Sequence, residues 1–300
     1  RTKNGRIELN PPSDTGISAE DAIVLIAEDD SSIALSEDAH PEISSDAIRK
    51  PPPPERRPER TLILGWNDRA PTIVTELDHY VDRGSEVTVV TPEGAGPPPG
   101  FDELEHQTVT FHTGNTTDRR TLEGLGVPSY DHVIVLGRPD EPDHNAADSG
   151  TLITLLHLRE IADKSERPFS IVSEMLDVRN RELAEITRAD DFIVSDHLAS
   201  LTMCQVSENK ELSAMFEKLI EPEGSELYLK PAAEYVTPGV QLNFYTVVEA
   251  ARRRGEVAVG YRVKAETDDP NSSYGVHLNP DKSRRIALTE HDKLIVLAES

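Results

Sequence analysis

The stretch "TLILGWNDRAP", Thr61 to Pro71, decides the reading of the fold. Leu62, Ile63 and Leu64 make a short apolar run suited to a buried β-strand, Gly65 opens a tight turn, and Pro71 sits where the first turn of a helix begins. In a dinucleotide-binding protein such a turn reads Gly-x-Gly-x-x-Gly. The first glycine permits the turn, the second lets the pyrophosphate reach the backbone, and the third lets helix and strand pack closely. Here Gly65 holds the first place, Asn67 the second and Ala70 the third. An asparagine side chain obstructs the phosphate approach. The residue closing the next strand, where an acid would hold an adenosine ribose, is Thr91, with Glu93 two positions late. A Rossmann-like strand, turn and helix is expected, with no NAD bound at it.

Outward from this stretch the pattern alternates. "EVTVV", "TVTFH", "HVIVL", "FSIVS" and "DFIVS" are short runs rich in Val and Ile, each fit for burial on both faces of a parallel sheet. Helical patterns lie between them at 70–81, 118–125, 146–162 and 177–187, and another follows the sixth run at 196–209. The predicted fold class is α/β: a Rossmann-like doubly wound parallel sheet over 61–209, then a small α+β lobe over 210–300. Residues 31–60, acidic and serine-rich and then carrying four consecutive prolines, read as a linker.

An internal repeat spans the chain. Leu9-Asn10-Pro11 matches Leu278-Asn279-Pro280, Ile17 matches Ile286, Asp21 matches Asp292, and Ala27-Glu28 matches Ala298-Glu299. An Asn-Pro turn, a polar stretch, an Asp and a buried apolar strand thus occur twice, as the endings of two successive modules.

Acidic residues number 55 against 31 basic ones, a formal net charge of −24. Such a surface repels phosphate backbones and anionic headgroups, so nucleic acid is not an expected partner. The single cysteine, Cys204, excludes an intrachain disulfide and a cysteine-based zinc site, and its setting "LTMCQV" predicts a packed core thiol. No apolar run approaches the ~18 residues of a membrane span. The chain reads as a soluble, cytosolic piece of a longer protein. It has no P-loop, His-Glu-x-x-His or Gly-x-Ser-x-Gly pattern, so no enzyme activity is expected.

"LILGWNDRAPTIVTELDHYVDRGSEVTVV", "HVIVLGRPDEPDHNAADSGTLITLLHLREI" and "IVSEMLDVRNRELAE" resemble the cytosolic part of the CASTOR/POLLUX ion channels, bacterial relatives included. The likeness is strong from about Leu62 to Cys204. It implies tandem RCK domains: residues 1–30 ending a first one, 31–60 linking, 61–209 forming the Rossmann-like N-lobe of the second and 210–300 its C-lobe. It further implies a homo-oligomer, as a dimer or a tetrameric gating ring, on the cytoplasmic face of a membrane beneath a pore domain of the same chain, with ligand binding coupled to pore opening.

In open α/β sheets ligands bind beyond the carboxyl ends of the strands. Asp140 and Glu141 follow the fourth strand, and Glu174 and Asp177 lie at the end of the fifth. Neighbouring strands are about 4.8 Å apart, so these carboxylates are candidates for Ca²⁺, which takes several oxygen ligands. They also resemble the calcium-binding carboxylates of an archaeal channel's RCK domain. The competing reading pairs Glu174 with Arg138, Arg179 or Arg181 and makes Asp177 a helix cap. On the helix at 196–209, Leu198, Leu201, Met203 and Val206 are the candidate subunit contact; burial within their own domain is the alternative. Two other function classes stay open: a Rossmann-type oxidoreductase or nucleotide sensor, and a purely structural assembly module.

Overall fold

The computed structural model describes residues 7–12, 14–27, 41–50, 57–92, 100, 101, 103–138, 144–180, 183, 191–209, 212–221, 224–267 and 269–299. The chain divides into two compact units, Glu55–Lys210 and Arg1–Pro54 with Glu211–Ser300.

The first unit is built on six parallel strands: β1 (Arg60–Leu64), β2 (Ser85–Thr91), β3 (Gln107–Thr113), β4 (His132–Val135), β5 (Ser170–Met175) and β6 (Asp191–Val194). Their order is β3-β2-β1-β4-β5-β6, so the chain reverses direction across the sheet between β1 and β4. Helices α1 (Ala70–Tyr80), α2 (Arg119–Leu125), α3 (His144–Lys164) and α4 (Ser195–Glu208) follow strands. Successive strand residues point to opposite faces. Leu62 and Leu64 therefore pack with Val133, Val135, Leu122, Leu155 and Leu158, while Ile63 packs with Val87, Val89 and Val74. Burial on both faces is why β1, β2 and β4 are nearly continuous apolar runs. The helix expected at 177–187 begins as a short 3₁₀ turn, Val178–Asn180; residues 181, 182 and 184–187 lie outside the described residues.

At the amino ends of the strands, Asp131 gathers three donors. Arg57 Nη2 (2.6 Å), the Arg60 N–H (2.9 Å) and Arg167 Nη2 (2.6 Å) all reach its carboxylate. Burial opposes ionisation, but these bonds outweigh it and bring the Asp131 carboxyl down to about 2.

The second unit contains a four-stranded antiparallel sheet of order β10-β9-β12-β7: β7 (Ser225–Pro231), β9 (Val257–Arg262), β10 (Val276–Leu278) and β12 (Lys293–Glu299). A second small pair joins β8 (Leu242–Asn243) to β11 (Arg285–Ile286). Helix α5 (Leu212–Ile220) precedes β7, and α6 (Ala232–Tyr235) and α7 (Phe244–Arg252) follow it. Asn243 caps α7 by accepting the Thr246 N–H. The core joins Tyr235, Phe244, Val247 and Ala251 to Leu294, Val296 and Ala298 of β12. Part of the stretch read as linker belongs here: Ala47 is buried in this core, Ile48 pairs with Val236, and the Thr237 N–H donates to the Ala47 carbonyl. Its Ser- and Asp-rich surroundings masked one small apolar step.

The repeat has a structural counterpart. Asn10 and Asn279 both take left-handed backbone, φ 48° and 43°, which asparagine tolerates better than most residues. The Ser18 N–H donates to Asp21 Oδ2 as the Thr289 N–H does to Asp292 Oδ2, and the Glu20 N–H reaches Ser18 Oγ as the His291 N–H reaches Thr289 Oγ1. The segments that follow differ: β12 follows the second copy, whereas 21–27 form no strand, contrary to the expectation of a buried strand in both copies. Leu294 and Val296 are buried, whereas Ile23, Val24, Leu25 and Ile26 are each about half exposed or more. Among the described residues no helix is long and apolar enough to cross a membrane.

Asp131→Asn removes a carboxylate that is ionised at lower pH in the folded chain than in the unfolded one. Its stabilisation is complete above the unfolded value near 4 and fades as pH falls toward about 2. Urea unfolding of both proteins across this range should show the variant less stable by roughly 1–3 kcal/mol at neutral pH, the gap closing in acid. An equal gap at every pH would contradict this account.

Candidate functional site

The turn after β1 explains its unusual sequence. The Gly65 N–H still bonds to the Val90 carbonyl, after which Gly65 adopts φ +104°, and a Cβ there would lie 3.1 Å from the Leu136 carbonyl oxygen. Trp66 then packs edge-on against Phe111 and Phe101, at centroid distances of 5.5 and 6.2 Å. Asn67 turns inward and is buried. Its Oδ1 accepts the Arg69 N–H (3.0 Å), while its Nδ2 donates to the Gly137 carbonyl (3.0 Å) and to Glu174 Oε2 (2.9 Å). Ala70, at the third-glycine position, is fully buried against the sheet.

Glu174, at the end of β5, is the centre of this arrangement, with 7 % of its surface exposed. Oε2 accepts from Asn67 Nδ2 and from the Gly137 N–H (3.0 Å); Oε1 accepts from Arg69 Nη1 (2.6 Å) and Ser195 Oγ (3.0 Å). A buried carboxylate needs such donors, since an isolated one is strongly disfavoured. Four bonds therefore tie together the loop after β1, the loop after β4, the end of β5 and the head of α4. This tie lies where β1 and β4 diverge, the place at which doubly wound sheets receive ligands. The Glu174 partner is Arg69, which sequence reasoning did not consider. Arg138 instead reaches Thr116 Oγ1, and Arg179 pairs with Asp177.

Asp177 holds the Arg179 N–H and guanidinium, so it and Glu174 belong to separate networks. Asp148 of α3, fully buried, accepts from the N–H groups of Leu176 and Asp177 and from Asn180 Nδ2, fixing the loop after β5. Asp140 and Glu141 lie outside the described residues. Among the described residues no three His, Cys, Asp or Glu side chains gather in a way that could hold a metal ion. Thr91, at the ribose-binding position, is buried.

At the opposite edge of the sheet, His132 lies 2.7 Å from Ser170 Oγ and 3.1 Å from Glu59 Oε2. This Ser-His-Glu line stands at the amino ends of β4 and β5, away from the carboxyl edge where ligands of this fold bind.

Helix α4 is exposed on nearly every side. Leu198 is 56 % exposed, Leu201 51 % and Met203 74 %, and Val206 is half-buried. Cys204, expected in the core, is exposed as well. Its apolar neighbours belong to a helix that projects, which a local reading of hydrophobicity does not distinguish from one that is buried.

No family model matches the chain. It is 28% identical to the probable ion channel CASTOR of Oryza sativa subsp. japonica over 98% of its own length and 36% of that protein, and 26% identical to the probable ion channel POLLUX of Arabidopsis thaliana over 99% of its length and 40% of that protein. The chain thus spans between a third and two-fifths of these curated relatives. Among solved structures it is similar to the human SLO3 gating ring, with a TM-score of 0.53 and 12% identity, covering 81% of this chain and 44% of that one. That likeness concerns the fold. From end to end, then, this chain is similar in sequence to one stretch of the CASTOR/POLLUX ion channels, with a fold like that of a gating ring.

Proposed function

We propose that the chain is the ligand-sensing regulatory region of a CASTOR/POLLUX-type cation channel, non-enzymatic and acting on the cytoplasmic face of the membrane. The observation that carries this reading is sequence relationship to ion channels across 98% of the chain. Residues 1–30 end a preceding module: their turn repeats the one before β12, and their exposed apolar segment at 23–26 lacks the pairing and burial its counterpart has.

Assembly runs through α4. A 14-residue helix exposed on most sides is marginal in water by itself, and its Leu198, Leu201 and Met203 favour a neighbouring subunit. Glu174 connects sensing to assembly, since Ser195 at the head of α4 and Arg69 at the switch point share its Oε1. Calcium is the proposed effector, through Asp140, Glu141, Glu174 and Asp177. Arg69 already fills the cationic place beside Glu174, so calcium binds by exchange with that guanidinium and loosens the tie to α4. Moving a ring from about 1:99 to 99:1 requires roughly 10⁴-fold tighter binding to one state.

Two outcomes test this. In light scattering, the native chain should be oligomeric and Leu198→Glu/Leu201→Glu should fall to a smaller species with an unchanged melting temperature; a monomeric native chain would exclude assembly through α4. In calorimetry, calcium should bind more tightly to Arg69→Gln, which lacks the competing cation, and about tenfold or more weakly to Glu174→Gln. No calcium heat in any of the three proteins would remove calcium as effector while leaving the channel assignment intact.

A further inference from the structure

The second unit carries a cleft unconnected with the Glu174 tie. β9 and β10 run unusually close because Gly260 has no side chain: a Cβ there would lie 2.3 Å from the His277 carbonyl oxygen. The chain enters β10 through three successive left-handed residues, Ser273, Tyr274 and Gly275 (φ 50°, 56° and 77°), and leaves it through another, Asn279. Serine and tyrosine in that conformation are strained, and such strain concentrates where a binding geometry must be held. Between the two turns lies an open cleft of about 500 Å³, bounded by Tyr261, Ser273, His277, Leu278, Pro280 and Arg284, within the size range of small-molecule sites.

One wall is aromatic. Tyr261 and His277 stack at 4.8 Å, and His277 Nε2 is fixed 2.8 Å from Glu266 Oε2. Leu278 and Pro280 make another wall apolar. The rim is cationic: among the described residues Arg284 has no carboxylate partner, unlike Arg285, which lies 3.7 Å from Glu42. Asp281 also borders the cleft, but it accepts the Ser283 N–H and hydroxyl of its own turn (2.9 and 2.7 Å).

The repeat supplies a second, independent observation. Between Asn10 and Asp21 the first copy of the motif has no basic residue; between Asn279 and Asp292 the second has Lys282, Arg284 and Arg285. Both copies make the same left-handed Asn turn and the same Ser/Thr-to-Asp turn. The basic residues are therefore not required by the turn. A guanidinium with no carboxylate partner among the described residues, beside an aromatic stack in a chain of net charge −24, matches an anion by planar two-point pairing.

We propose that this cleft binds a small organic anion, a carboxylate or phosphate on a planar or apolar body, with Arg284 pairing the anionic group and the body resting on Leu278, Pro280 and the edge of the Tyr261–His277 stack. Phenyl phosphate and benzoate are suitable probes, with benzyl alcohol as the neutral match and inorganic phosphate as the anion without a body. Titrated into the 300-residue chain and followed by amide chemical shifts, at least one aromatic anion should saturate and move Gly275, His277 and Leu278. Arg284→Gln should weaken it about tenfold or more. Arg285→Gln should leave it unchanged, and Leu278→Glu, an exposed position, should also weaken it. The proposal is overturned if neither aromatic anion saturates, if Arg284→Gln and Arg285→Gln act equally, or if benzyl alcohol or inorganic phosphate binds as well as the aromatic anions. Melting temperatures of the variants separate lost binding from lost folding.

Discussion

One buried carboxylate organises the carboxyl edge of the parallel sheet. Glu174 sits where water has little access, and each of its oxygens accepts two hydrogen bonds. Removing any of those donors leaves a charge partly unanswered in a poorly screened place, where the penalty is largest. The departures of the β1 turn from the dinucleotide pattern follow from this need. Asparagine replaces the second glycine because its amide bridges Glu174 and the Gly137 carbonyl, and Arg69 follows because the carboxylate also requires a cation. A turn that elsewhere leaves space for phosphates is here filled by the protein's own side chains.

The connection from Arg69 through Glu174 to Ser195 gives the fold a short route between the switch point and α4. It passes through only two side-chain contacts, of 2.6 and 3.0 Å. Arg69 retains about half its surface, so this end of the route is accessible, whereas the carboxylate and Asn67 are not.

The inner strands β1, β2 and β4 were legible in the sequence because burial on two faces demands nearly uninterrupted apolar runs, the edge strand β3 because Thr, Val and Phe favour strands, and the turn at Gly65 because a glycine ends the first of them. The site was legible only in part. Asn67 stood out as an obstruction, but its partner lies 107 positions away, and no local periodicity encodes such a pairing. Glu174 was recognised by its place at a strand end, yet nothing in the sequence ranked Arg69 above Arg138 or Arg179 as its counter-ion. Cys204 and Leu201 have the composition of a core helix and the exposure of a projecting one. That difference depends on what lies around the helix. Ala47 was hidden for the converse reason, as a single small buried residue among Ser and Asp. The repeat was readable because its turn chemistry, an Asn that tolerates left-handed backbone and an Asp that collects N–H groups, leaves few alternatives at those positions.

The strand order of the antiparallel sheet has a bearing on how the chain acquires its structure. β12 is the last of the four strands in sequence, yet it lies inside the sheet, paired with both β7 and β9. During synthesis β7 emerges with no neighbour and must wait for a partner more than sixty residues downstream, a costly loop to close. The parallel unit is continuous in sequence: β1 also waits for β4 (Thr61 with His132), but it pairs first with the nearer β2 (Thr61 with Val87). Vectorial synthesis thus favours completion of the Glu174 tie while the antiparallel sheet still lacks its centre, leaving the backbone edge of β7 unpaired until β12 emerges.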